Sequence, residues 1–102
     1  MLTLYVIRKC TNAQDRKQDR WYRKKVKLPI VPQIGWTIWT AGKNFEVIGG
    51  KVLDDNHTFV VEVKGDHRTF KGTPFQKVCD EMRIAGFTEI PESHKYMLGE
   101  SE

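Results

Sequence analysis

The amino-acid sequence predicts an α+β domain: a strongly bent antiparallel sheet or small open β-barrel of five or six strands, with one C-terminal helix packed on it. Three observations lead there. Short segments rich in β-branched and aromatic residues recur between turn signals, as in Trp36–Thr40, Phe45–Leu53 and Thr58–Lys64. A Gly49-Gly50 pair interrupts one of them, where small barrels place the bulge that curls a sheet. Only one segment, after Thr73-Pro74, repeats its apolar residues at helical spacing.

Taken in order, residues 2–8 form a first strand. Residues 9–20 are polar and without apolar period, a long connection with room for one helical turn. In the second strand, residues 21–28, alternation puts Trp21, Arg23, Lys25 and Lys27 on one face. Tyr22, Lys24, Val26 and Leu28 take the other, which is the core side. Pro29 and Pro32 stop this strand, so the segment they bracket is an edge or a crossing connection.

Residues 36–40 then form a strand, 41–44 a turn and 45–53 the return strand. Asp54-Asp55-Asn56-His57 is a turn, and residues 58–64 form the next strand. Gly65-Asp66 reads as a tight turn into a short strand at 67–70, completing a meander. For the helix, Thr73 is the expected N-cap, Pro74 the first helical residue, and Gln76 completes a capping box. Phe75, Val78, Cys79 and Met82 share a face, and Gly86 is the stop. Residues 87–90 add a last short strand before Pro91. The expected core is Leu4, Val6, Val26, Ile38, Val47, Val61, Val63 and Met82.

The chain has 102 residues, which is one domain, expected over 1–91 with a flexible polar tail at 92–102. A 39% hydrophobic and 29% charged composition fits a folded domain rather than a disordered one. No apolar run reaches the roughly 18 residues of a membrane span. The apolar start lacks a preceding basic segment and a cleavage site, so no secretory signal is expected. Two cysteines, Cys10 and Cys79, are too few for a disulfide scaffold and point to a reducing, cytoplasmic setting.

Charge is divided unevenly. Residues 1–27 hold nine basic and two acidic groups, a net +7, while the remainder carries −3. Such polarity steers an acidic partner to one end, and equally favours head-to-tail self-association.

Most residues capable of chemistry have a structural explanation. His57, His67 and His94 sit in or beside turns, with no helical pairing and no close cysteine pair, so no metal site is expected. Cys79 belongs to the apolar helix face. Cys10 is read first as a packing residue, like most free cysteines, and second, at a strand end beside Arg8 and Lys9, as a low-pKa thiol. Asp54/Asp55 and Asp80/Glu81 are read as solvated pairs rather than catalytic dyads. Gly49-Gly50 is followed by no helix and is no phosphate loop. Trp36 and Trp39, three apart, point to opposite faces, so one is expected in the core and the other on the surface. No cofactor and no catalytic residue is expected.

The segment 28–36 (Leu-Pro-Ile-Val-Pro-Gln-Ile-Gly-Trp), with Phe45-Glu46-Val47 and Phe59-Val60-Val61-Glu62-Val63, resembles a pattern in small proteins of mobile elements, such as integron gene cassettes and phages. In that pattern a Pro-x-x-Gly step feeds a meander of curved strands. The resemblance implies a small barrel-like β fold and an oligomer. It brings no catalytic residues.

The basic segment has a functional and a structural reading of similar weight. Arg16, Lys17, Arg20, Trp21, Arg23, Lys25 and Lys27 combine cations with an aromatic, the mixture that contacts phosphates and stacks on unpaired bases. The bland alternative is a solvated basic edge strand that resists aggregation. The leading expectation is a non-enzymatic module whose basic N-terminal surface meets nucleic acid or an acidic protein. The second is a self-assembling or protein-interaction module that pairs through an exposed strand edge. The third is a small enzyme acting on an anionic small molecule.

Overall fold

Alternation along the first two strands decides how this protein is built. In β1 (Leu2–Cys10) the even positions Leu4, Val6 and Cys10 are buried. In β2 (Arg20–Leu28) Tyr22 is buried, and Val26 and Leu28 pack beside it. The two strands pair antiparallel with Leu4 opposite Val26 and Arg8 opposite Tyr22, so these residues share one face. The computed structural model describes residues 2–53 and 58–91. Among them β3 (Thr37–Thr40), β4 (Lys43–Val52), β5 (Phe59–Asp66), α1 (Phe75–Ile84) and β6 (Thr88–Glu89) complete the order.

The strands form one sheet in the order β3-β4-β5-β1-β2-β6, strongly curled into a half-barrel. This is the expected α+β architecture, with one pairing, β1 with β5, running parallel. Because β2 and β3 lie four places apart in the sheet, the proline-bracketed segment between them is a crossing connection. The bulge expected at the glycine pair falls one residue before it: the β4–β5 register shifts between Val47 and Gly49, with Ile48 as the extra residue. A Cβ on Gly50 would stand 3.2 Å from the Val60 carbonyl, so the backbones approach closely there. The first half of β4 pairs with β3 and the second half with β5, so β4 turns a corner at the bulge.

The curl has a direct signature. Phe45 on β4 and Phe87, just before β6, have ring centroids 5.6 Å apart. Their strands are four places apart, roughly 19 Å along a flat sheet at ~4.8 Å per strand. The curled face encloses Leu4, Val6, Cys10, Tyr22, Ile38, Phe45, Val47, Val61, Val63 and the helix residues Val78, Cys79 and Met82. Of the expected core, only Val26 is partly rather than fully buried.

Two cations on this inner face reach out of it. Lys24 passes the Phe87 ring (5.9 Å) and donates to the Ala85 carbonyl at the C-terminus of α1 (2.9 Å), where a positive charge is favoured. Arg8 lies over Phe45 (5.1 Å) and donates to the Lys64 carbonyl (3.0 Å). It also stands 3.7 Å from Asp66, whose side chain is buried. Asp66 accepts from the Arg68 guanidinium (2.7 Å) and the Arg68 amide (3.0 Å), and Arg68 continues to Glu81 on α1 (2.8 Å). Burial alone would raise the Asp66 carboxyl. The Arg68 hydrogen bonds and the Arg8 charge outweigh it and hold the group below the usual aspartate range.

Several local expectations are corrected. Gly65-Asp66 is not a turn but the end of β5. Residues 68–71 form a 3-10 turn instead of a strand, because Asp66 bonds Arg68 two residues on and Gly72 ends the turn at φ 94°. The helix has no capping box: α1 begins at Phe75 with Pro74 as its cap, and Gln76 bonds Asp80 instead. Its C-terminus does end at Gly86 (φ 91°), in a Schellman arrangement with Gly86 N–H donating to Arg83 and Phe87 N–H to Met82. The β3–β4 turn is two residues, Ala41 and Gly42, both at positive φ. Neither Trp36 (47% exposed) nor Trp39 (67%) is core, since Ile38 and Phe45 already fill the sheet interior at β3. Glu81 is not simply solvated, for Arg68 and Lys43 both reach it. The expected turn at 54–57, with His57, and the tail at 92–102, with His94, lie outside the described residues.

Candidate nucleic-acid interface

The outer face of the sheet carries the other half of the alternation. The β1–β2 register sets Thr3 opposite Lys27, Tyr5 opposite Lys25, Ile7 opposite Arg23 and Lys9 opposite Trp21. Trp21, Arg23, Lys25 and Lys27 therefore do share a face, and β1 adds Tyr5 and Lys9 to it. The cations sit against the aromatics. Lys9 lies 5.7 Å from the Trp21 ring, and Arg23 and Lys25 lie 5.5 and 5.7 Å from the Tyr5 ring.

An apolar bed holds the two rings in place. Ile7, Val60 and Ile90 form a second buried cluster, with Tyr5, Trp21 and Leu53 packed against it. Ile90 is fixed there by its amide, which donates to the Trp21 carbonyl (2.8 Å). Tyr5 and Trp21 are consequently half-buried, seated on this bed with the cations set over their rings. Across β5, whose Glu62 lies opposite Ile7, β4 contributes Lys51, opposite Val60, and Gly49, opposite Glu62. A Cβ at Gly49 would meet nothing within 4 Å, so the sheet surface is bare at that point.

The remaining residues of the basic segment lie elsewhere. Arg16 and Lys17 sit on a 3-10 turn in the 11–19 connection. Arg16 covers Phe70 (5.4 Å), which is 54% exposed and also neighbours His67. That connection is pinned rather than loose. Thr11 N–H donates to Asp66 O (3.0 Å), Asn12 N–H to Asp19 Oδ1 (2.7 Å), and Ala13 N–H to Thr69 Oγ1 (3.0 Å). Arg20 belongs to the inner side of the sheet, over Phe75 (5.8 Å) and 3.8 Å from Glu89. The structure thus gathers four of the seven basic-segment residues and adds Tyr5 and Lys9. The signal for Tyr5 was present in the alternation Thr3-Tyr5-Ile7-Lys9. Only the pairing of β1 with β2 places it beside Lys25.

Cys10 is a packing residue rather than a reactive thiol. Cys10 is fully buried, and burial first, then the charge of Asp66, pushes it up to about 12 despite Arg8. Tyr22 is likewise buried, and its hydroxyl lies beside the Cys79 thiol and the Arg20 guanidinium without reaching hydrogen-bonding geometry with either. Among the described residues, no three His, Cys, Asp or Glu side chains come together as metal ligands, and no helix is long and apolar enough to cross a membrane.

Two clefts occur. One, of about 380 Å³, opens where β4 parts from β5, between Arg8, Phe45, Glu46 and Lys64. The other, of about 280 Å³, lies at the start of α1 between Asn12, Thr69, Thr73 and Phe75. No family model matches the chain, and neither a similar curated protein nor a similar solved structure was found.

Proposed function

We propose that this protein binds single-stranded nucleic acid on the outer face of β1 and β2. One observation carries the reading: two half-buried aromatics, Tyr5 and Trp21, are each flanked by cations from the adjoining strand over a rigid apolar bed. A ring seated on such a bed stacks on an unpaired base with little loss of conformational freedom of its own, as the cation over it turns to a phosphate. Lys25 and Lys27, both exposed, and Lys9 reach the phosphates beside it. An acidic protein would use the same charges but has no need of the aromatic pair. A double helix keeps the faces of its bases stacked on one another, out of reach of the two rings.

Fluorescence titration with single-stranded and duplex oligonucleotides of one sequence tests this. Single strands quench Trp21 and bind more tightly than duplex. Three to four phosphate contacts give a slope of log K against log salt of roughly −2 to −3, from about −0.7 per contact. Equal affinity for duplex, or binding indifferent to salt, overturns the proposal.

A further inference from the structure

We propose that β3 is a self-association edge, where two copies of this chain pair β3 with β3 antiparallel about a two-fold axis at Ile38. The backbone geometry points to this. β3 ends the strand order, and β4 is its neighbour among the described residues. Val47 N–H donates to the Trp36 carbonyl (2.8 Å), and Ile38 and Thr40 oppose Phe45 and Lys43. Even-numbered backbone groups of β3 therefore face β4, and the N–H and C=O of Thr37 and Trp39 face outward. That outward pattern is complementary to itself. With Ile38 opposite Ile38, Thr37 of each copy opposes Trp39 of the other, and four N–H···O=C bonds form reciprocally.

The side chains agree with this occupant. The strand Thr-Ile-Trp-Thr has neither charge nor proline. Ile34 (73% exposed), Trp36 and Trp39 leave a large apolar surface around it. The nearest charges, Lys43 and Glu46 on β4, are of opposite sign, so the pairing sets no like charges face to face. The far end of the sheet is the reverse: β6 pairs Tyr22 and Arg23, and Lys25 and Lys27 continue β2 beyond it. Those are the features that keep an edge from pairing, and β3 lacks them.

Net charge does not oppose the dimer. β1 lies three strands from β3, about 14 Å along the sheet. The basic surfaces of two copies stand well beyond the screening length of ~8 Å. A four-residue edge buries less than the ~1,200 Å² of a standard interface, so the dimer is weak and concentration-dependent.

Sedimentation velocity of the full chain, freed of nucleic acid and run from about 5 to about 500 μM, tests this in the weak-interface range. Hydrogen exchange over the same range identifies the edge. The sedimentation coefficient rises with concentration and persists at high salt, and the Thr37 and Trp39 amides gain protection as it rises. Trp39→Lys and Thr37→Pro, which put a charge on the edge and remove an outward N–H, stay monomeric while keeping the parent circular dichroism.

A monomer at every concentration overturns the proposal. So does a dimer that both variants retain, or one that salt dissolves, which is head-to-tail charge association. If a variant loses its fold, amide protection in the unaltered chain decides alone. With no nucleic acid present, failure here leaves the β1–β2 interface untouched, and failure there leaves this edge untouched.

Discussion

The two faces of the β1–β2 pair obey the same alternation and end with opposite contents. On the inner face Leu4, Val6, Cys10 and Tyr22 join a continuous core that runs from Ile38 on β3 to Phe87 after the helix. On the outer face Ile7, Val60 and Ile90 make a small bed, and above it cations and aromatics meet solvent. The inner face places its cations where they have work within the fold: Lys24 on the helix C-terminus and Arg8 beside Asp66. The outer face gathers Lys9, Lys25 and Lys27 around two rings. On the proposed reading, recognition falls to the odd residues of the two strands, while the main core is built from the even ones. A substitution on one set is expected to leave the property of the other largely intact.

The strongest way to break the comparison is Leu4→Ala. Leu4 is fully buried at the centre of the large core, so its truncation costs about 3 kcal/mol, read as a shift of the urea midpoint. Ile7→Ala on the outer bed costs less, about 2 kcal/mol, because fewer neighbours surround the void. Equal losses would mean that the two clusters act as one core.

Asp66→Asn comes next, at about 2 kcal/mol, discounted because the Arg68 partner is partly exposed. The folded Asp66 titrates below the ~3.9 of a free aspartate. Its contribution is therefore complete above about pH 4 and is lost as pH falls through the folded value. The variant flattens that acid limb, which thermal melts across pH 2–6 would show.

Trp21→Ala sharpens the comparison from the other side. It is expected to cost less than 1 kcal/mol in stability, since Trp21 is only half-buried, and to weaken single-strand binding by about 1–3 kcal/mol. Denaturation and anisotropy on one preparation separate the two. The smallest effect lies outside both faces: Ala41, at φ 54°, occupies a left-handed turn position that asparagine tolerates better. Ala41→Asn is expected to raise stability by about 0.5–1 kcal/mol with no change in binding.

Much of this was legible in residue order, because period-two alternation and turn residues act locally. The Trp21/Arg23/Lys25/Lys27 face, the bulge beside Gly49-Gly50 and the Val78/Cys79/Met82 helix face can all be read from spacing alone. Spacing does not contain which strands meet. The parallel pairing of β1 with β5 put Asp66 beside Cys10, and so turned an apparently cation-flanked thiol into a buried, protonated one. The same blindness hid Tyr5, whose partner Lys25 is twenty residues away and reached only through the β1–β2 register. The 3-10 turn at 68–71 escaped for another reason: a side chain, Asp66, takes over bonds that a strand would have made with its backbone.

The location of binding is the central claim, and amide chemical-shift mapping during titration with a short single-stranded oligonucleotide tests it most directly. Shifts are expected to concentrate at residues 3–9 and 21–27, with the Trp21 indole among the largest, and little change is expected at Arg16, Lys17 and Phe70. Shifts confined to the 11–19 connection and residues 67–71, or none at any ratio, would contradict it.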